Sequence, residues 1–281
     1  MREFSTFRVR SFIVIVAGLC AAGFSFTAPA VVISGSSSSY GESVALTGAL
    51  IVTSGPLPTA GGTAPLPYTD GPNSLVSASA PPVLSTGVLT VNAASNVDGL
   101  PGSRFASADA TVNGLAVNLV DPISTLSLLS LGATTVFSNA MVSGEFGGLT
   151  GVRNTLLTGA TLTVAGVPIV LLAAPLANTV AFNGGGLQIL LNEQPTAGGD
   201  GLTAERIVVN AIHISFANFA FGLGVLNGDI IVSHSQAALT ATATPPAAVP
   251  APGTWMILVA GLAALWVQRR KMLGQRNDFV A

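Results

Sequence analysis

Cysteine is nearly absent from this 281-residue sequence, and the single one, Cys20, lies in an apolar N-terminal stretch. A disulfide scaffold is therefore excluded for the chain beyond that stretch, and its stability has to come from an apolar core. Cys20 also suggests a lipid-attachment site, but its position inside the apolar run, with further apolar residues after it, disfavours that alternative.

Charge is also scarce, since Asp, Glu, Lys and Arg make up 8% of the residues and the one lysine is Lys271. Residues 31–240 contain three arginines and ten acidic residues, which gives this segment a net charge of −7. Nucleic acid and anionic lipid are therefore disfavoured as partners of this segment.

Aromatic residues are few, and both tryptophans, Trp255 and Trp266, lie near the C-terminus. The only tyrosines are Tyr40 and Tyr68, so a conventional aromatic platform for sugars is disfavoured. The phenylalanines between Phe105 and Phe221 are predicted to lie in the core. Long patterns of helical period are absent outside the two termini.

The N-terminus has the layout of a secretory signal peptide over residues 1–30. Three arginines precede the apolar segment from Phe12 to Phe26, and Ala28-Pro29-Ala30 offers a small-residue cleavage site at Ala28 and Ala30. An uncleaved N-terminal membrane helix is the alternative. Both interpretations predict export and require the export machinery as a partner.

The C-terminus has the layout of a membrane anchor. A linker rich in Ala, Thr and Pro over residues 241–252 precedes an uncharged run that predicts a transmembrane helix over residues 253–268. Sixteen residues span about 24 Å at about 1.5 Å per residue, which is short for a bilayer core of about 30 Å, so arginines have to extend towards the headgroups. The basic cluster that follows predicts a cytoplasmic C-terminus. A buried core helix is the alternative.

The order of a proline motif, a short apolar helix and a basic cluster over residues 249–281 resembles the PEP-CTERM sorting signal. The residues that carry the resemblance are Val249, Pro250, Ala251, Pro252, Trp255, Arg269, Arg270 and Lys271. The resemblance implies a bacterial surface protein recognised by an exosortase, a membrane-embedded transpeptidase. Ala251 stands where that family has glutamate, which leaves two outcomes open: cleavage, or retention as a plain membrane anchor.

The segment between the two ends, residues 31–240, is predicted to form an exported all-β domain. Seven segments rich in Val, Thr, Ile and Leu are bounded by Gly, Asn, Asp or Pro, which is typical of strands. They are residues 88–93, 108–113, 134–142, 155–164, 189–191, 206–216 and 229–237, with 44–52 as a further strand-like segment. The pattern predicts a mostly antiparallel, β-sandwich-like fold, with a β-solenoid as the alternative.

Asn-Gly and Asp-Gly pairs between these segments predict tight turns, because both residues accept positive φ. The pairs begin at Asn113, Asn183, Asn227, Asp70, Asp98 and Asp200. Ser36–Ser39 is predicted to be a flexible opening, and the Pro/Gly-rich stretch Gly55–Asn73 a long surface loop.

The domain resembles the choice-of-anchor P family of bacterial surface proteins. The resemblance is carried by residues 85–98, 190–194, 209–214 and 228–235. It implies a surface-displayed domain attached by a C-terminal signal, and it implies no enzymatic activity and no catalytic residues.

A catalytic triad on one strand would use Asp229, His234 and Ser233 or Ser235. Strict strand alternation places His234 on the face opposite to the other three, which argues against it, and the sequence has no Gly-x-Ser-x-Gly elbow. The other histidine, His213, is expected to be a polar strand residue.

Asn192-Glu193-Gln194 with Asp200 could supply oxygen ligands to a cation such as calcium. The spacing matches neither an EF-hand nor an RTX repeat, so no metal site and no cofactor are predicted.

The sequence therefore favours a non-enzymatic, surface-anchored structural or matrix protein of a bacterial envelope. One alternative is an adhesin or exopolysaccharide-binding module that uses the Gly55–Asn73 loop. An extracellular hydrolase is the least favoured alternative.

Overall fold

The computed structural model describes residues 30–195, 198–242 and 260–266 of the chain. The fold is all-β, with 69% of the described residues in strands and 3% in helix, and all strand pairs are antiparallel. A short helix covers residues 260–266. No helix within the described ranges has the length and apolar character needed to cross a membrane.

Fifteen strands within the described residues form two sheets, with short turns between most sequential neighbours. The strands are β1 (Val31–Gly48), β2 (Val52–Thr63), β3 (Tyr68–Leu75), β4 (Ser79–Ala80), β5 (Leu84–Ser85), β6 (Leu89–Ser95), β7 (Arg104–Val120), β8 (Ser127–Gly144), β9 (Thr150–Thr158), β10 (Thr161–Val164), β11 (Val167–Ile169), β12 (Thr179–Gly184), β13 (Leu187–Glu193), β14 (Ala204–Phe221) and β15 (Gly224–Thr242). The first sheet has the order β12-β13-β14-β15-β1-β2. The second has the order β11-β10-β8-β7-β5-β4, with β9 pairing β8, β6 pairing β7, and β3 pairing β6.

The two sheets pack face to face, because apolar side chains of both meet in one buried cluster. Leu46 and Ile212 of the first sheet and Val117 and Leu131 of the second belong to this cluster and are almost completely buried. A second, smaller cluster near the chain ends contains Ile207 and other apolar side chains of both sheets. This arrangement is compatible with the predicted sandwich, and neither sheet is closed.

Buried serines separate the two apolar clusters. Ser138 Oγ of β8 lies within hydrogen-bond distance of two hydroxyls of β15, Ser233 Oγ at 3.0 Å and Ser235 Oγ at 2.7 Å. Ser233 also donates to the carbonyl of Ala110 at 2.8 Å, so the bonds join the two sheets. Each hydrogen bond contributes about 1 kcal/mol net, whereas a buried hydroxyl without a partner is costly, so this layer favours one register between the sheets.

The prediction of a flexible opening at Ser36–Ser39 was wrong. These residues lie in the middle of β1, and their backbones pair with β15 on one side and β2 on the other. Ser37 and Ser39 are buried and bond to the second sheet, Ser37 to Tyr68 Oη and Ser39 to the carbonyl of Asn92. The run of serines is therefore part of the polar layer between the sheets.

The prediction of a long loop at Gly55–Asn73 was also wrong. This stretch forms most of β2, a short turn and the first part of β3. β2 is an edge strand of its sheet, where prolines are tolerated because outward N–H groups need no ladder partner. Asp70 and Asn73 of β3 bond to the backbone of Gly61 and Thr59 of β2, which covers this edge.

Three of the predicted turn pairs lie inside strands. Asn113-Gly114 lies in β7, Asn227-Gly228 in β15 and Asp70-Gly71 in β3. Asp98-Gly99 and Asp200-Gly201 do lie between strands, and Asn183-Gly184 ends β12 just before its turn. The predicted strand at residues 44–52 is interrupted by the β1–β2 turn, and that at 155–164 by a break between β9 and β10.

Candidate functional site

Polar side chains form a row across four neighbouring strands on the outer face of the first sheet. Glu193 of β13 is paired with Asn210 of β14, Asn210 with His234 of β15, and His234 with Tyr40 of β1. His213 and Asp229 lie beside this row. We call the six residues Tyr40, Glu193, Asn210, His213, Asp229 and His234 the outer-face cluster.

The cluster exists because the side chains of β15 do not alternate strictly between the two faces of the sheet. Val232 and Ser233 are consecutive and both completely buried, and Ser233 has a φ of 57°. This irregularity shifts the phase of the strand, so that Asp229 and His234 lie on the same outer face while Ser233 and Ser235 point between the sheets. The prediction that His234 and Asp229 lie on opposite faces was therefore wrong.

The neighbouring strands β14 and β13 also interrupt the alternation of inward and outward side chains, at positions in line with Ser233 across the sheet. Ala211 and Ile212 of β14 are consecutive and completely buried, and Asn192 of β13 has a φ of 49°. Such irregularities in a ladder redirect the side chains that follow. The outward positions of Glu193 and His213 depend on these two changes in the same way that His234 depends on Ser233.

His213 is held between two carboxylates. Its Nδ1 lies 3.0 Å from Glu193 Oε2, and its Nε2 lies 2.9 Å from Asp229 Oδ1. The hydrogen bond to Glu193 is the main cause that raises the pKa of His213, with Asp229 adding to it and burial opposing it. The bond from His213 in turn lowers the pKa of the Glu193 carboxyl. A protonated His213 donates one hydrogen bond to each carboxylate.

His234 has the opposite environment. Burial lowers its pKa to about 4, so the ring is neutral at pH 7. Asn210 Nδ2 donates to Glu193 Oε2 at 2.6 Å, which leaves Asn210 Oδ1 to accept from His234 Nδ1 at 2.6 Å. The ring of His234 stacks on Tyr40 with centroids 4.4 Å apart and planes 12° from parallel. Burial raises the pKa of Tyr40 to about 12, with the charge of Glu193 adding to it.

The histidine side chains of the cluster are not placed next to a serine side chain of β15. His213 uses both ring nitrogens on carboxylates, and the serines next to His234 in sequence face the interior. No serine of β15 is therefore placed as a nucleophile for either histidine. Asp229 is about half exposed, and its Oδ1 bonds to His213 Nε2 on the same face of the sheet as the stacked rings.

The residues considered for a cation have other partners. Asn192 Oδ1 accepts from Thr155 Oγ1 at 3.0 Å, and its Nδ2 donates to the carbonyl of Pro175. Asp200 accepts N–H bonds from Leu202, Thr203 and Ala204 in its own turn. Over the described ranges, no group of three or more His, Cys, Asp or Glu side chains is placed to hold a metal ion.

The histidines give a direct test of the cluster, because the chain contains only two. NMR titration of the folded chain is expected to show one histidine with a midpoint above 6.5 and one near 4, assigned by the variant H234Q. The physical reason is that carboxylates stabilise the charged form of His213, whereas burial penalises that of His234. Two midpoints close to 6.5 would contradict the described environments.

The sequence suggested Glu193 only as a cation ligand and considered the two histidines separately. Their juxtaposition follows from strand register, which local sequence patterns do not encode. The residues of the predicted sorting signal and Ala28 lie outside the described residues, and Ala30 directly precedes β1. Comparison with protein-family models, curated proteins and solved structures finds no match to this chain.

Proposed function

We propose that this chain is exported and held at a bacterial cell surface by its C-terminal segment, where the β-sheet unit serves as a non-enzymatic structural or matrix module. The partners of this proposal are the export machinery, the membrane and an exosortase that recognises residues 249–281. The exosortase and the family of surface proteins come from the resemblances in the sequence.

The observation that carries the proposal is the position of the two chain ends of the β-sheet unit. Val31 at the start of β1 is paired with Thr242 at the end of β15. The predicted signal peptide and the predicted linker therefore connect to the same end of the sheets. Strands of 18 residues extend about 60 Å from that end at about 3.3 Å per residue, a geometry suited to displaying the opposite end away from an attachment point.

The finer description of the fold in this proposal is a β-sandwich. It is supported by the antiparallel pairing and by the apolar core that both sheets share. A β-solenoid, the alternative, relies on strands stacked from successive coils, and the long hairpins β7–β8 and β14–β15 do not favour it.

A second candidate function is binding of exopolysaccharide, which we relocate from the Gly55–Asn73 stretch to the outer-face cluster. The observation that favours it is that the Tyr40–His234 stack and the half-exposed carboxylate of Asp229 lie on the same outer face of the first sheet. Ring faces and carboxylate oxygens suit the apolar faces and hydroxyl groups of sugars. An extracellular hydrolase has the least support, because His213 bonds to both neighbouring carboxylates.

The proposal is tested by fractionating bacteria that produce either the full chain or a chain that ends at Thr242. The full chain is expected in the envelope or surface matrix, and the shortened chain in the medium, because only the former carries the predicted sorting signal. A variant with Arg269, Arg270 and Lys271 replaced by glutamine is the matched control for the basic cluster. Equal distribution of all three chains would contradict anchoring by the C-terminal segment.

A further inference from the structure

Four turns meet at the end of the β-sheet unit that lies farthest from its chain ends. The β14–β15 turn contacts the β7–β8 turn through the N–H of Gly222, which donates to Asp121 Oδ2 at 2.9 Å. It contacts the β1–β2 turn through the N–H of Ala49, which donates to the carbonyl of Val225 at 2.8 Å. The β10–β11 turn joins them because the N–H of Ala165 donates to the carbonyl of Leu128.

Aliphatic side chains project from these turns into solvent. Their exposed fractions range from 50% at Val120 to 98% at Leu223. We call this group the apolar tip, and it consists of Ile51, Val120, Ile123, Leu126, Val167 and Leu223. Single exposed aliphatic residues are common on proteins, but several gathered at one end indicate an interaction surface.

The apolar tip is almost without charge, and the opposite end is not. Asp121 is the only charged residue in the four turns, and its carboxylate accepts N–H bonds from Ile123, Ser124 and Gly222. The end at which the chain enters and leaves carries several charges. They are Asp98, Arg104, Glu145, Asp200 and Glu205. The end at which the chain enters and leaves also exposes Leu66, Leu100 and Leu202, so the two ends differ in charge rather than in the presence of exposed apolar side chains.

Many backbone N–H groups of these turns already donate hydrogen bonds within the protein, so they do not need water as a partner. The N–H of Asp121 donates to the carbonyl of Leu126, and the N–H of Thr125 donates to the carbonyl of Asp121. The bonds of Ala49, Ala165 and Gly222 satisfy further N–H groups. Backbone groups that enter lipid have to be satisfied within the protein, and many of those at the tip already are.

The number of exposed side chains in the apolar tip indicates which kind of partner could cover it. A stable interface between two proteins needs about 20–30 residues on each side and a complementary shape. The apolar tip offers six side chains on four separate turns, too few for a stable contact with a second copy. A lipid layer accepts protruding side chains without matching their shape. The net charge of −7 over residues 31–240 and the absence of cations in these turns favour an uncharged lipid surface over an anionic one.

We propose that the apolar tip inserts into an uncharged lipid surface, with Ile51, Ile123, Leu126 and Leu223 as the deepest side chains. This contact is separate from the predicted C-terminal anchor and does not depend on it. It gives the β-sheet unit an attachment at the end opposite to its chain ends.

The test uses the full chain with Cys20 replaced by alanine and an environment-sensitive fluorophore on a cysteine introduced by Leu223→Cys. The chain is mixed with phosphatidylcholine vesicles that contain a spin-labelled quencher in the acyl region. Quenching of the probe at position 223 by at least twofold is expected, with little change between about 0.1 and 1 M salt, because the contact is apolar. The same probe on Ser103→Cys, at the charged end, is the control for lipid contact made elsewhere on the chain.

A second comparison uses the double variant I123S/L126S, with the probe still at position 223. Loss of two inserted aliphatic side chains is expected to raise the lipid concentration that gives half-maximal quenching at least tenfold. The NMR signals of the two histidines, which lie on the face of the first sheet, confirm that the variant is folded. Equal quenching at positions 223 and 103, or none at 223, would overturn the proposal. A probe signal at 223 that rises with protein concentration without lipid would assign the tip to a second copy instead.

Discussion

Replacing Gly228 with alanine is expected to destabilise the fold by about 3–5 kcal/mol, a large part of the 5–15 kcal/mol by which domains are usually stable. Gly228 lies inside β15 with a φ of 122°, a conformation that residues with a Cβ rarely adopt. A Cβ at this position would overlap the carbonyl oxygen of Ala45 on the adjacent strand β1. Neither strand can move away without breaking the ladder that joins them.

Gly147→Ala is the matched control, because Gly147 also has a positive φ, 86°, but no atom lies within 4 Å of the place where its Cβ would be. It measures the backbone strain alone, about 1–2 kcal/mol. Urea unfolding followed by circular dichroism measures both variants, since both tryptophans lie outside the β-sheet unit. Equal losses in the two variants would show that the close approach of β1 and β15 at Gly228 is not as described.

Glu42→Gln is expected to stabilise the protein at pH 7 and to have little effect at pH 4. Glu42 is completely buried, and burial raises its pKa, while a hydrogen bond from Ser54 Oγ to Oε1 opposes the rise. Its Oε2 has no hydrogen-bond partner within the described part of the chain. The folded state therefore disfavours the charged carboxylate, and burial of Glu42 costs more free energy as the pH rises.

The direction in which stability changes with pH follows from proton linkage. Because the pKa of Glu42 is higher in the folded than in the unfolded state, stability is lost as pH rises from the unfolded value of about 4.5 through the folded value. In this window the free energy of unfolding falls by at most about 1.4 kcal/mol per pH unit. The glutamine variant lacks this decrease, because glutamine does not titrate. Urea unfolding at pH 4 and 7 measures the difference. E145Q, at an exposed acidic residue, is the control, and a pH-independent effect of E42Q would contradict the prediction.

Much of the strand content could be predicted, because it depends on local composition. Segments such as 134–142 and 206–216 are rich in β-branched residues and lie in strands as expected. The serines of β1 could not be recognised in this way. Their partners Tyr68, Asn92 and Ala94 are 31 to 57 residues distant in sequence, and only the packed sheets bring them together.

The Asn-Gly pairs show why turn chemistry misled the prediction. Positive φ is needed in hairpin turns, but also at irregularities within long strands. Gly114 and Gly228 have φ values of 60° and 122° in strand interiors, whereas the β14–β15 turn uses Gly222. A glycine that permits positive φ therefore does not by itself distinguish a turn from a bulge.

The outer-face cluster depends on two properties that the sequence does not display. Strict alternation separates Asp229 from His234, and only the phase change at Ser233 places both on one face. Strand register then brings Glu193 and Asp229 to the two sides of His213. The predictions for the two termini are different, because they rest on a local order of apolar, proline and basic residues and do not depend on the fold.

The most direct test of surface anchoring is the intact mass of the native protein in envelope, matrix and medium. Residues 1–30 are expected to be lost in every fraction, and the C-terminus is expected to be either cut near Gly253 in the matrix or retained through Lys271 in the membrane. The first result would establish exosortase-type processing despite Ala251, and the second a plain anchor. A chain found in the cytoplasm with residues 1–30 still attached would contradict export and the proposed function.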